Sequence, residues 1–291
     1  MTQEVKIGLA LGGGGAKGFA LLPILEVFDE LGIRPCCITG TSIGAIIGAL
    51  YASGHSAKEI VEMIQEFIPP KEGSFRKKIK NKEFLKGLAL LDPHISFKPK
   101  GLLKGEKFLT FLYEQMQIST FDELKIPLKV VATDFWRRKQ KVFSSGDLLP
   151  ALRASMAIPY VFTPVVIDQT VLVDGGLVNN VPVDLLDPSC TFKIAVNISG
   201  KPPKSVSKIP SPIDAIFYSY EVMQEALVEE KLKSNPVDLY ICPPLVGVNT
   251  LDFHKAHSIY TQGLQIKDQF KQQLETLLEN KKPRFPWFRK K

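Results

Sequence analysis

The chain has 291 residues, 45% of them apolar and 23% charged, with 21 glycines and 21 prolines, a make-up that fits a globular protein with a large core and excludes disordered, collagen-like and disulfide-stapled chains. Its formal net charge of +7 is uneven: residues 71–107 hold eleven Lys/Arg against four Asp/Glu, residues 281–291 hold six Lys/Arg and no acid, and the remainder is acidic at net −6. Four cysteines without C-x-x-C spacing, two of them adjacent as Cys36-Cys37 in an apolar run, predict buried, reduced thiols and a reducing, cytoplasmic setting.

Residues 1–11 lack the charged and apolar regions of a signal peptide, and the uncharged stretch at residues 35–51 is short for a membrane span and carries glycines and hydroxyls spaced as in a strand, a turn and a helix. Val5 to Leu11 reads as a strand that enters Gly12-Gly13-Gly14-Gly15-Ala16-Lys17-Gly18, followed by an apolar-periodic helix from Phe19 to Leu31. A second strand, Cys36 to Thr39, runs into Gly40-Thr41-Ser42-Ile43-Gly44 and an Ala/Ile-rich helix up to Tyr51. A third helix spans residues 56–67, with Ser56 and Glu59 as a capping box. The basic stretch at about 69–107 then breaks the pattern as an insertion or lid. Strands are predicted at Leu128 to Thr133, Lys141 to Phe143, Phe192 to Ile198 and Leu239 to Cys242, with a hairpin of Val165 to Ile167 and Thr170 to Val173. Helices are predicted at Ala151 to Met156, Ala215 to Lys233 and Tyr260 to Asn280. This alternation predicts an α/β protein, three-layer α/β/α around a mainly parallel sheet, with a domain over 1–275 and a basic aromatic tail over 276–291.

Two glycine turns carry the chemistry. Gly13-x-Gly15-x-x-Gly18 between a strand and a helix matches a dinucleotide fingerprint, but the second strand ends in Thr39-Gly40-Thr41-Ser42 rather than the acid that would hold a ribose, and Lys17 lacks the neighbours of a P-loop. Glycine amides before a helix still suit a negative charge. Gly40-x-Ser42-x-Gly44 has the spacing of a nucleophile elbow, or more simply of a Gly/Ser loop with Ser42 as a helix cap. The four histidines, His55, His94, His254 and His257, show no catalytic or metal-binding pattern and read as structural or surface residues. Asp174 in Leu172-Val173-Asp174-Gly175-Gly176 closes an apolar strand, where parallel α/β sheets place their sites, and is the better partner for Ser42; an Asp-Gly turn is the simpler alternative.

Gly13-Gly14-Gly15-Ala16-Lys17-Gly18, Gly40 to Gly44, Ala154-Ser155-Met156-Ala157-Ile158-Pro159, and Asp174-Gly175-Gly176 with Asn180 and Pro182 follow the order and spacing of the patatin-like phospholipases, and the chain resembles their compact bacterial members over residues 5–200. The resemblance implies a Ser–Asp dyad without histidine, with Ser42 as nucleophile, Asp174 as base and the amides of Gly13, Gly14 and Gly15 as the oxyanion hole. It also implies supporting roles for Lys17, Gly18, Gly40, Gly44, Gly175 and Gly176, with Lys17 where many members have Arg, and a structural Ser155 segment beside the nucleophile. No cofactor and no metal is expected.

The implied activity is a serine lipid acyl hydrolase of phospholipase or lysophospholipase type. Alternatives are an acyltransferase with the same dyad, or a lipid-binding or regulatory protein with a vestigial site. Cations interleaved with Phe75, Phe84 and Phe97, and with Phe285, Trp287 and Phe288, point to an anionic membrane surface rather than nucleic acid as the partner, hence to peripheral membrane association.

Overall fold

The computed structural model describes residues 5–65, 105–200 and 209–279. Strand β1 (Ile7–Leu11) leads through a 3-10 turn (Gly15–Leu21) into helix α1 (Leu22–Glu30), and β2 (Cys37–Thr41) leads into α2 (Ile43–Ala52) and α3 (Ala57–Gln65). After α4 (Glu106–Met116) come β3 (Leu128–Asp134), β4 (Lys139–Phe143), α5 (Leu148–Ser155), β5 (Val165–Ile167), β6 (Thr170–Asp174) and β7 (Phe192–Val196). The chain closes with α6 (Pro212–Ser234), β8 (Leu239–Ile241), α7 (Ala256–Leu264) and α8 (Lys267–Glu279).

The eight strands form one sheet in the order β5-β6-β3-β2-β1-β7-β8, with β4 paired to β3. The β3-β2-β1-β7-β8 core is parallel, and β4, β5 and β6 add antiparallel pairs at one side. Alternation along the strands divides the core between two faces. Ile7, Leu9, Leu11, Ile38, Val130, Ile194 and Val196 pack with α1, α2 and the two C-terminal helices. Ala10, Cys37 and Ala195 point the other way, to Val228 of α6 and to Val183 and Leu186. Helices thus cover both faces, giving the three layers that the alternation predicts.

Three local expectations change. The single helix expected over Tyr260 to Asn280 is two helices, α7 and α8, joined at Gln265 and Ile266. They dock on different surfaces: Gly263 of α7 lies so near Ala20 that a Cβ would come 3.0 Å from its Cα, whereas Phe270 of α8 packs its ring 6.0 Å from that of Phe28 in α1. Helix α4 was not anticipated; it begins inside the last residues of the basic insertion, whose residues 69–104 lie outside the described residues, as do residues 280–291 of the tail. The start of the first helix is a 3-10 turn, because Gly15 enters it at φ 55. The Ser56–Glu59 capping box forms as expected, with the Ser56 amide donating to Glu59 Oε2 at 2.7 Å and the Glu59 amide to Ser56 Oγ at 3.2 Å.

Two kinds of contact hold α8 to α1, and they differ in weight. Lys267 pairs with Glu26 and Glu30, and Lys271 pairs with Glu30 at 2.8 Å in a half-exposed position, whereas Phe270 is fully buried. Phe270→Ala is expected to lower stability by about 3–5 kcal/mol in chemical denaturation, and Lys271→Ala by no more than about 1 kcal/mol. Equal losses would show that the ion pairs, not the ring, dock the helix.

Candidate active site

Ser42 stands between β2 and α2 at φ 54, ψ −126, a backbone conformation that a non-glycine residue keeps only when its surroundings impose it. Both flanking glycines explain the imposition. A Cβ on Gly44 would lie 2.4 Å from the Leu11 carbonyl oxygen and 2.5 Å from that of Gly12, and one on Gly40 would lie 2.6 Å from Ala45 Cα. The strand therefore turns into the helix with no room for side chains two residues either side of the serine, as a nucleophile elbow requires. Ser155, expected to pack beside this turn, holds it directly: the Ser42 amide donates to Ser155 Oγ at 2.8 Å, and Ser155 Oγ donates to the Val131 carbonyl at 2.6 Å.

Asp174 arrives from β6. Strand β2 pairs with β3 as far as Thr41 with Val131, and β6 takes over at the next residue, with Asp174 opposite Ala132. Because β4 occupies the other edge of β3, β2 and β6 lie end to end on one edge, and their C-terminal ends face each other. The carboxylate is 2% exposed. Its Oδ1 accepts from the Gly176 amide at 2.7 Å and from the Tyr220 hydroxyl at 3.3 Å, while among the described residues its buried Oδ2 has no hydrogen-bond partner. Burial pushes the Asp174 pKa up to about 6, against the opposing pull of the Ser42 hydroxyl, the Gly176 amide and the Tyr220 hydroxyl. The Ser42 hydroxyl is thus near enough to the carboxyl to favour its ionised form.

The glycine loop closes the third side. Gly13 touches the serine, since a Cβ there would lie 3.1 Å from Ser42 Cβ. Its amide, however, donates to the Asn180 carbonyl at 3.1 Å, and Asn180 Nδ2 returns a bond to the Gly13 carbonyl. Of the three amides expected to form an anion hole, that of Gly13 is therefore occupied in this structure, leaving those of Gly14 and Gly15, which open the 3-10 turn where amides lack internal partners. Gly18 lets the turn lie against Ile43, where a Cβ would come 2.2 Å from Cγ1. Gly175 similarly passes the Val131 carbonyl, and Gly176 passes Gln224.

Lys17 points inward. It is 3% exposed, and its Nζ donates to Glu221 Oε1 at 2.7 Å and to the Ser199 carbonyl at 2.9 Å. Thr250 joins the same carboxylate at 3.1 Å and accepts the Ala16 amide at 2.8 Å. Helix α6 therefore reaches both halves of the site from one face: Tyr220 to Asp174, Glu221 to Lys17, and Gln224 Nε2 to Asn180 Oδ1 at 3.2 Å. The sequence reading missed these three residues. The only signal was their spacing at i, i+1 and i+4 on a predicted helix, which is also the spacing of any solvated polar face. The histidines stay apart from the site among the described residues: His55 Nδ1 lies against Ser53 Oγ and the Leu50 carbonyl, and His254 and His257 are exposed.

A family model described as Patatin-like phospholipase matches residues 9–187, more than half of the chain. The chain belongs to the patatin-like phospholipase family. An uncharacterized NTE family protein of Mycobacterium tuberculosis is 33% identical over 200 residues, covering 68% of this chain and 51% of that protein. Lysophospholipase NTE1 of Kluyveromyces lactis is 27% identical over 292 residues, covering 92% of this chain and 19% of that protein. The chain thus spans about half the length, or less, of these curated relatives. Among solved structures, VipD from Legionella pneumophila aligns with TM-score 0.48 and 15% identity, over 93% of this chain and 67% of that one. The patatin-like match contains Ser42, Asp174, the glycine loop, Ser155 and Asn180, whereas Tyr220, Glu221 and Gln224 lie beyond its end.

Proposed function

We propose that this patatin-like chain is a serine lipid acyl hydrolase that cleaves carboxylic esters of phospholipids or lysophospholipids through a Ser42–Asp174 dyad. The observation that carries the reading is the pairing of an elbow serine with a buried carboxylate whose Oδ2 has no hydrogen-bond partner among the described residues. Ser42 Oγ attacks the ester carbonyl as its proton passes to Asp174 Oδ2, and the amides of Gly14 and Gly15 hold the resulting oxyanion. Collapse of the tetrahedral intermediate returns the proton to the departing alcohol and leaves an acyl-enzyme. Water, deprotonated by Asp174, then releases the fatty acid and restores the serine. Lys17 fixes the glycine loop through Glu221 and takes no part in proton transfer. The name of the yeast relative favours a lysophospholipid.

The membrane surface has a candidate contact within the described residues, besides the two basic segments that lie outside them. Past the C-terminal end of β3, the connection to β4 carries Phe135 and Trp136, 43% and 74% exposed, with Arg137, Arg138 and Lys139 following. The two rings stack edge to face at 4.9 Å. An exposed indole among cations suits the headgroup layer of an anionic bilayer, each cation contributing about 1 kcal/mol. Among the described residues no helix is long and apolar enough to cross a membrane.

Labelling by a fluorophosphonate probe tests the nucleophile. Wild type is expected to label, Ser42→Ala and Asp174→Asn to lose labelling, and hydrolysis of a lysophospholipid by Ser42→Ala to fall by about a thousandfold or more; retained hydrolysis by Ser42→Ala would overturn the assignment. For pH, Asp174 must be ionised to accept the proton, and its pKa is raised from 3.8 to about 6, so kcat/KM is expected to fall as pH drops through about 6. The same shift makes the Asp174 contribution to stability favourable below pH 3.8 and progressively lost as pH rises through 6. Tyr220 lowers that pKa by donating to the carboxylate, so Tyr220→Phe is expected to move the acidic limb to higher pH; an unmoved limb would leave Tyr220 a packing residue only. Finally, Trp136→Ala is expected to weaken binding to phosphatidylglycerol vesicles while leaving hydrolysis of a soluble short-chain ester unchanged, and undiminished vesicle binding would remove this connection from the membrane contact.

A further inference from the structure

At the end of the sheet away from Ser42, three cysteines meet. Cys36 and Cys37 stand at the start of β2 and Cys190 just ahead of β7. Cys190 Sγ lies 3.4 Å from Cys36 Sγ and 3.5 Å from Cys37 Sγ, and all three sulfurs fall within 4.8 Å of one another. The backbone around them is fixed by the sheet: the Cys36 amide donates to the Ile7 carbonyl at 2.8 Å, Cys37 pairs with Gly8, and the Thr191 amide donates to the Lys6 carbonyl at 2.7 Å. Gly8 makes the space. A Cβ at this position would lie 2.7 Å from Cys190 Sγ, so a residue that weakens a strand interior stands where the third sulfur enters.

We propose that Cys36, Cys37 and Cys190 form a three-thiolate site for one soft, thiophilic cation of the zinc(II) class. Tetrahedral zinc with Zn–S bonds of about 2.3 Å holds its sulfurs about 3.8 Å apart, and the two short edges of this triangle reach that spacing by opening a few tenths of an ångström. Three sulfurs with no oxygen or imidazole among them select thiophilic ions over magnesium or calcium. Cys37 is buried and anchors the site, while Cys36 and Cys190 are partly exposed, which gives an ion its entry and a water molecule the fourth position. Binding forms three metal–sulfur bonds and releases the three thiol protons, with no change of oxidation state. Cys37 and Ser42 are five positions apart along extended chain, roughly 16 Å at the rise of a strand, so the ion would brace the sheet and take no part in ester cleavage. No sequence motif announces the site, because Cys190 is more than 150 residues from its partners.

The test uses the full chain, reduced and kept under anaerobic conditions, with zinc(II) added at one equivalent. Stoichiometry is read by competition with a chromophoric chelator, and each thiol by its rate of alkylation. One equivalent is expected to bind and to slow alkylation of Cys36, Cys37 and Cys190 at least tenfold while leaving Cys242 unchanged. Both effects are expected to vanish in Cys190→Ser, in Cys36→Ser, and in Gly8→Ala, which displaces the Cys190 sulfur without removing a thiol. Ester hydrolysis by Cys36→Ser should match wild type, which separates failure of this site from failure of the active site. No protection by equimolar zinc in the wild type would overturn the proposal. So would protection that persists in Cys190→Ser, or a Cys190 disulfide as the only linkage formed among the three.

Discussion

Strand β3 takes two partners in succession along one edge, β2 as far as Val131 and β6 from Ala132 onward, and the meeting of Ser42 with Asp174 follows from that junction. Ladder hydrogen bonds, not attraction between Ser42 and Asp174, bring the two side chains together. The Val131 carbonyl marks the meeting point: Ser155 Oγ donates to it, and Gly175 passes it so closely that a Cβ would come within 2.2 Å. A shift of one residue in the β3–β6 register would turn Asp174 to the other face of the sheet and leave the serine without its partner.

Keeping a carboxylate at this junction is costly. With a pKa of about 6 in place of 3.8, ionised Asp174 at neutral pH carries a penalty of about 3 kcal/mol. The Gly176 amide and the Tyr220 hydroxyl offset part of the cost of burial without removing it, and both donate to Oδ1. Oδ2 is buried and, among the described residues, without a hydrogen-bond partner. The outcome is a carboxylate more basic than one in water, which is what the proposed dyad without histidine requires of its base.

Helix α6 ties this arrangement to the rest of the molecule. One of its faces braces Asp174 through Tyr220, the glycine loop through Glu221 and Lys17, and Asn180 through Gln224, so Asp174 and the glycine loop are tied to one element. Elsewhere on the helix Ile216, Val222, Met223 and Leu227 are exposed.

The amino-acid sequence alone determined the α/β alternation, the elbow at Ser42 and the glycine loop, because each is a local pattern in which a strand, a turn and a helix follow one another within about twenty residues. It also singled out Asp174, through the apolar strand before it and the glycines after it. Tertiary structure decided the rest. The donation of the Gly13 amide to Asn180, the reach of Tyr220 and Glu221 into the site, the break between α7 and α8, and the meeting of Cys190 with Cys36 and Cys37 all join residues distant in the chain or docked on different surfaces. No periodicity encodes such pairings; they are set by strand order and register, which emerge only when the sheet is assembled and both of its faces are packed.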